Sequence, residues 1–270
     1  MADLNIGVVG SAGRMGQSLV REIIQTDGAR LVAASERAEH PALGNDAGSI
    51  AGLSVLGIKI TDTAREVFEE AESVIEFSGP EATVGHASLA AAVGVCHVIG
   101  TTGLSQGDET ALGAAAERTP IFWAPNMSLG VNVLIALAEQ AASALSDDFD
   151  IEILEMHHRH KVDAPSGTAL ALGQAVAKGR DVDLGRVSQR ARDGITGERR
   201  RGDIGFAVLR GGDVVGNHSV ILAGENDRLE LTHQATSRQI FAAGAVRAAI
   251  WLQPQPPGLY GMRDMLGFAG

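Results

Sequence analysis

The chain has 270 residues, enough to bury a sizeable core as one large domain or two small ones. Hydrophobic residues make up 45% and charged residues 20%, and the net charge of -11 excludes a general nucleic-acid binder, which needs a basic surface. Aromatic residues are only 4%, so the core has to be built from Ala, Val, Ile and Leu. No apolar run reaches the roughly 18 residues of a membrane span. The opening MADLNIGVVG lacks the basic-then-apolar pattern of a secretory signal. The single cysteine, Cys96, cannot form an internal disulfide, which fits a reducing cytosol, and it reads as a small buried residue of the run CHVIG.

In chain order, LNIGVVG (4–10) reads as a strand, RMGQSLVREIIQ (14–25) as a helix and RLVAASE (30–36) as a second strand. A Gly- and Pro-containing loop follows. GIKIT (57–61), SVIEFS (73–78), CHVIGTT (96–102) and PIFWAPN (120–126) are further strands, with helical periodicity in TAREVFEEA, EATVGHASLAAAV and ETALGAAAER between them. Such alternation predicts an α/β fold with a parallel sheet covered by helices on both faces. After Asn126 the pattern changes. SLGVNVLIALAEQAASAL (128–145) is a long helix, IEILEMH (151–157) a strand and TALALGQAVAKG (168–179) a helix. RDGITGERRRGD (192–203) reads as a polar linker whose basic cluster is a solvated face. Residues 202–235 hold three strand-like runs, and GGD and GEND between them look like hairpin connections, predicting a mixed or antiparallel sheet. IFAAGAVRAAIWL (240–252) is a last helix, and QPQPPGLYG cannot continue it. The boundaries expected are 1–126 with 239–270 for one domain and 127–238 for the other.

Two constellations carry chemistry. The first is the turn GSAGRMG, with glycines at 10, 13 and 16, between the first strand and first helix. Glycines there let the backbone approach a pyrophosphate, and the helix start supplies free N–H groups. The turn is therefore a candidate pyrophosphate site, and Arg14 at the helix start could face phosphate or solvent. Glu36 ends the second strand, where a dinucleotide site wants an acid for the ribose hydroxyls, and Arg37 beside it suits the 2′-phosphate of NADPH, so NADH, NADPH or both are expected. GTTG (100–103) and APNMS (124–128) fall at the ends of later strands and are candidates to line the nicotinamide.

The second constellation is EMHHRHKVDAPSGTAL (155–170). A metal is not expected at His157, His158 and His160, because Arg159 and Lys161 repel a cation and neighbouring strand residues point to opposite faces. An anion fits better. Ser166 is a good N-cap, and Gly167 and Thr168 would expose N–H groups at the start of a helix. Lys161 and a histidine could hold a second carboxylate and donate a proton, so a small dicarboxylate reduced by hydride is the expected substrate.

The stretch EILEMHHRHKVDAPSGTA (152–169) resembles the signature of the 4-hydroxy-tetrahydrodipicolinate reductase family. GSAGRMG, GTTG, APNMSLGVN and HSVILAGENDRLELTHQA extend the resemblance over nearly the whole chain. It implies a Rossmann-like doubly wound domain, a smaller α+β domain for substrate binding and oligomerisation, and a cytoplasmic homotetramer acting in diaminopimelate and lysine biosynthesis. It implies that His157 is the catalytic acid and that Lys161 assists as donor and carboxylate ligand. His158, Gly167 and Thr168 would contact the substrate, in its hydroxylated or dehydrated form. Gly10 to Met15, Glu36 and Arg37 would hold the cofactor, and Gly100, Thr101, Thr102, Ala124, Pro125, Asn126 and Met127 would frame the nicotinamide. Two positions depart from the pattern. Glu76 and Ser78 stand where an aspartate and often a threonine are expected, and Met127 where some members carry an aromatic. Two other readings share part of this evidence. A dehydrogenase of a small amino dicarboxylate, such as aspartate, would have the glycine turn but no reason for the full H-x-x-x-K-x-D-x-P-S-G-T-A run. A non-catalytic dinucleotide sensor would need no proton donor.

Overall fold

The computed structural model describes residues 2–268. Contacts divide the chain into two units, one ending at Ser128 and resuming at Gln239, the other spanning Leu129–Arg238. The first unit alternates β1 (Leu4–Val9), α1 (Arg14–Gln25), β2 (Ala29–Ser35), α2 (Ala47–Ile50), β3 (Ile60–Thr61), α3 (Ala64–Glu70), β4 (Ser73–Glu76), α4 (Pro80–Val93), β5 (Cys96–Ile99), α5 (Gln106–Ala116) and β6 (Pro120–Trp123). The second holds α6 (Leu129–Ala144), β7 (Asp150–His157), α7 (Gly167–Gly179), α8 (Leu184–Val187), β8 (Ser188–Gln189), β9 (Ile204–Arg210), β10 (Gly216–Ala223) and β11 (Arg228–Ala235). The chain then returns to the first unit with α9 (Gln239–Leu252), β12 (Gly258–Tyr260) and α10 (Met262–Met265).

The first sheet runs β12-β6-β5-β4-β1-β2-β3, with every pairing parallel. Strand order therefore leaves β1 in two directions, the doubly wound arrangement that puts ligands beyond the carboxyl ends of the strands. Both faces are covered, so β4 and β5 are buried at every position rather than alternating. On one side α3, α4 and α5 pack in series, with Val67 and Phe68 of α3 against Val9 and Val74, and Leu112 of α5 against Ile99 and Ile121. On the other, α1 and α9 pack together. Small aliphatic side chains dominate these clusters, as the scarcity of aromatics requires.

Three local features differ from expectation. Of GIKIT only Ile60 and Thr61 pair as a strand. The non-helical tail contains β12, a parallel edge strand on β6. The loop after β2 contains α2, organised by Asp46, whose carboxylate accepts N–H groups of Ser49, Leu56, Gly57 and Ile58.

The second sheet runs β11-β10-β7-β9-β8 and is mixed. GEND closes a true hairpin between β10 and β11. GGD does not: β9 pairs parallel with β7, and β10 lies antiparallel on the other side of β7. The turn residues mark the reversal, but β7 takes the position between β9 and β10, so both of its edges are hydrogen-bonded. The inward row of β7, Ile151 and Ile153, packs with Val220, Leu222, Ile204 and Phe206 under α6 and α7. No helix among the described residues is long and apolar enough to cross a membrane.

Candidate active site

The turn after β1 is shaped by two glycines. Gly10 has φ 73°, a left-handed conformation that side chains resist. A Cβ on Gly16 would lie 2.0 Å from the Gly10 carbonyl oxygen, so helix and turn approach only because it is absent. The Gly10 and Ser11 N–H groups donate to the Ser35 carbonyl at 2.9 and 3.0 Å, pinning the turn to the end of β2. Ser11 is buried and its hydroxyl donates to the same oxygen. Gly13 is the N-cap of α1 and offers no capping side chain, which leaves the first N–H groups of a 12-residue helix to an anion. Arg14 is exposed and Met15 half-buried in that first turn.

Beside the turn lies a cleft of about 430 Å³ lined by Gly10, Gly13, Ser35, Glu36, Arg37, Phe77, Ser78, Gly79 and His86, among others. The glycine cradle, the uncapped helix and this volume fit a dinucleotide. Glu36 accepts the Ala12 N–H at 3.2 Å and the Arg37 N–H at 3.1 Å, so its carboxylate braces the turn. Arg37 is exposed at the cleft.

Gly100 to Thr102 and Ala124 to Met127 follow β5 and β6 at the same end of the sheet but do not line this cleft. The Phe77 ring occupies the space a Gly100 side chain would need, 2.2 Å from its would-be Cβ. Thr101 is buried, with its hydroxyl 2.8 Å from that of Thr83, and its carbonyl accepts the Trp123 indole N–H. Thr102 and Pro125 are exposed, Ala124 is buried, and Asn126 accepts the Ser128 N–H. Met127 is buried at 1% exposure, and its carbonyl abuts Gly244 of α9, so its thioether belongs to the core.

Sequence reasoning missed a polar cluster beneath the cleft. Glu76, fully buried at the end of β4, has Oε2 2.8 Å from His86 Nδ1 and Oε1 2.9 Å from His97 Nε2. The His97 ring lies close without hydrogen-bond alignment. Burial raises the Glu76 pKa, but the two imidazoles outweigh it and hold the carboxyl at about 2.

In the second unit the inward row of β7 changes character toward its end. Ile151 and Ile153 give way to Glu155 at 1% exposure and His157 at 8%. His157 Nδ1 is 2.6 Å from Glu155 Oε2. Arg210, opposite His157 in the β7–β9 register, clasps both Glu155 oxygens at 2.8 and 2.9 Å and donates to the Asp163 carbonyl. The Ser166 N–H donates to Glu155 at 3.0 Å. His218, opposite Glu155 on β10, lies 3.2 Å from the Ser166 hydroxyl and packs edge-on to His157 at 5.0 Å. Ser166 caps α7, accepting the Ala169 N–H. Gly167 is exposed and Thr168 half-buried in the first turn. Lys161 reaches Asp163 at 2.9 Å, and His158 Nε2 lies 3.3 Å from Arg238. The structure thus gathers His157, His158, Lys161, Gly167 and Thr168 around one strand end and one helix start.

Burial pushes the Glu155 pKa up, but Arg210, His157 and the Ser166 N–H outweigh it and keep the group a carboxylate. His157 is shifted below its ordinary value, first by burial and then by the Lys161 and Arg210 charges, against the pull of Glu155. His218 falls to about 4, from burial first and the neighbouring His157 next, so it is neutral at pH 7. Glu155 stood two residues before His157 on the same strand face, a signal readable from period-two alternation. Arg210 came from β9 with no local signal, and His218 opens the run HSVILAGENDRLELTHQA on β10 without anything nearby in the chain to link it to His157. The basic run 192–203 is also more than a solvated face: Arg192 and Arg199 clasp Glu152, and Arg199 reaches Asp150. Cys96 is buried, and burial, then Glu72, pushes its thiol up to about 11.

Comparison with known proteins matches both units. The family profile "Dihydrodipicolinate reductase, N-terminus" covers residues 4–127, and "Dihydrodipicolinate reductase, C-terminus" covers 130–266. The 4-hydroxy-tetrahydrodipicolinate reductase of Sinorhizobium fredii is 57% identical over 266 residues, 98% of each chain. That of Brucella abortus is 55% identical over 265 residues, 98% of this chain and 99% of its own. Among solved structures, dipicolinate-bound dihydrodipicolinate reductase from Paenisporosarcina sp. TG-14 superposes with a TM-score of 0.77 at 22% identity, over 97% of this chain and 99% of the other, a likeness of fold. The cradle after β1, the imidazole–ammonium cluster at the end of β7 and these matches along both units have one reading: the chain belongs to the dihydrodipicolinate reductase family.

Proposed function

We propose that this chain reduces 4-hydroxy-tetrahydrodipicolinate, or its dehydrated ring, to tetrahydrodipicolinate with NADH or NADPH, in diaminopimelate and lysine biosynthesis. The observation that carries the reading is the cluster at the end of β7. A buried imidazole sits on a buried carboxylate beside an ammonium and a helix start, an arrangement with cations for two carboxylates and a proton donor between them. When bound, a reduced nicotinamide would supply a hydride to ring C4, from which the 4-hydroxyl of the hydroxylated form has already left as water. The residues that hold the cofactor are Gly10 to Met15 for the pyrophosphate, Glu36 and Arg37 for the adenosine ribose, and the segments 100–102 and 124–127 for the nicotinamide. For Met127 the support is limited to backbone, since its side chain is buried.

Lys161 and His158 bind one carboxylate of the substrate, and the Gly167 and Thr168 N–H groups at the start of α7 bind the other. His157 gives its proton to the carbon left electron-rich by hydride addition. Binding a dianion beside His157 offsets the Lys161 and Arg210 charges that lower its pKa, so the substrate itself favours the protonated imidazole. The proposal includes a homotetramer in the cytoplasm, supported by the resemblance and by exposed Leu209 and Leu229 on the mixed sheet; light scattering at working concentration tests the assembly.

Nicotinamide oxidation is the test. Turnover is expected with the dipicolinate precursor and absent with aspartate or oxaloacetate. Turnover with aspartate instead would move the chain to amino-acid dehydrogenation, and cofactor binding without turnover on any of these would make it a sensor.

A further inference from the structure

We infer that Glu155, clamped by Arg210, is the positioning residue of the proton donor: it fixes the proton on His157 Nδ1 and leaves Nε2 as the nitrogen that gains and loses the catalytic proton. The inference rests on the reading of His157 as the donor.

Three residues define the clamp. Both Glu155 oxygens are occupied by the Arg210 guanidinium, one also accepts the Ser166 N–H, and the other lies 2.6 Å from His157 Nδ1. An ionised carboxylate only accepts hydrogen bonds, so Nδ1 carries a hydrogen whether the ring is neutral or charged. Titration is then confined to Nε2. Beside Nε2 the chain places Gly216, where a Cβ would lie 2.9 Å from that nitrogen, so the glycine keeps that edge of the ring clear. His218 stacks edge-on and is neutral, so it adds bulk without charge. The charged groups around the ring are Glu155 on β7, Arg210 on β9, and Lys161 with its partner Asp163 on the following loop. Of these, Glu155 is the anion that touches the ring, and Arg210 is the cation that tempers it.

This geometry predicts opposite effects from the two halves of the clamp. Glu155→Gln removes the anion, and a glutamine amide can donate to Nδ1 and select the wrong tautomer, so kcat should fall by about 10²-fold or more with a much smaller change in KM. The basic limb of the kcat/KM profile, where the donor deprotonates, should move to lower pH. Arg210→Met leaves the anion and removes its counter-charge, so the same limb should move to higher pH, each by about one pH unit. ¹⁵N-histidine spectra of the unmutated protein should show the neutral His157 ring protonated at Nδ1. Circular dichroism confirms that each variant is folded before kinetics are read.

Limbs that move in the same direction, or stay in place while turnover falls, overturn the inference, as does a neutral ring protonated at Nε2. His157→Gln, run in parallel, separates the two layers. Unchanged turnover there overturns the donor reading together with the clamp. Lost turnover there, with an unmoved limb in Glu155→Gln, overturns the clamp alone.

Discussion

His157 and Lys161 sit four residues apart, the proposed function gives them different tasks, and kinetics can separate them. His157 is buried against Glu155, whereas Lys161 rests on half-exposed Asp163 and is available to a ligand carboxylate. His157→Gln is expected to lower kcat by roughly 10²- to 10⁴-fold, the usual contribution of a general acid. Lys161→Ala should raise the Kd for dipicolinate roughly 10- to 100-fold through loss of a charge-assisted contact, measured by calorimetry. A third residue has no chemistry of its own. Gly216→Ala would place a methyl 2.9 Å from His157 Nε2, and the ring cannot swing away without leaving Glu155. Turnover should fall at least tenfold while the thermal midpoint moves by a few degrees at most; full activity would mean the ring has room that the distances deny. At this scale the sequence was legible for the cluster at the end of β7, because histidine, lysine and an N-cap serine lie close together in the chain. It was silent on Gly216, whose importance is what it leaves empty.

The two helix starts are read differently by their surroundings. At α1 the N-cap is Gly13, the turn is braced by Glu36 from the end of β2, and the neighbouring cation is Arg37. Arg37→Ala should therefore weaken NADPH binding roughly 10- to 100-fold while leaving NADH binding nearly unchanged, in fluorescence titrations at fixed salt. Equal loss for both cofactors would place Arg37 on the pyrophosphate instead. At α7 the N-cap is a serine that spends its hydroxyl on Ala169, and its N–H goes to Glu155. That helix start is thereby tied to β7, which is why a strand end and a helix start separated by a nine-residue loop lie together. Element types were readable from hydrophobic period and turn chemistry. The hairpin expected at GGD was not formed, because a turn signal specifies a reversal and leaves open which strand will lie beside it.

For the molecule as a whole, the scarcity of charge inside the first unit makes Glu76 conspicuous. Its folded pKa of about 2, against an ordinary 4.5, means that the folded state binds fewer protons on this carboxyl than the unfolded state does. Its contribution to stability is complete above pH 4.5 and is lost as the pH falls toward 2. Glu76→Gln should lower stability at neutral pH by about 1–3 kcal/mol, since the buried carboxylate beside His86 and His97 is replaced by an amide. It should also flatten the fall of the urea midpoint between those pH values; an unchanged slope would show that His86 and His97 do not depend on the charge. By itself the sequence determined the two fold types, the glycine turn after β1 and the family signature at 152–169, because each depends on residues near one another in the chain, where spacing alone fixes direction. Tertiary structure alone decided the Arg210 clamp, the His218 neighbour and the Glu76–His86–His97 cluster, because strand register and helix packing bring together groups tens of residues apart, and a buried charge finds its partners only in the folded chain.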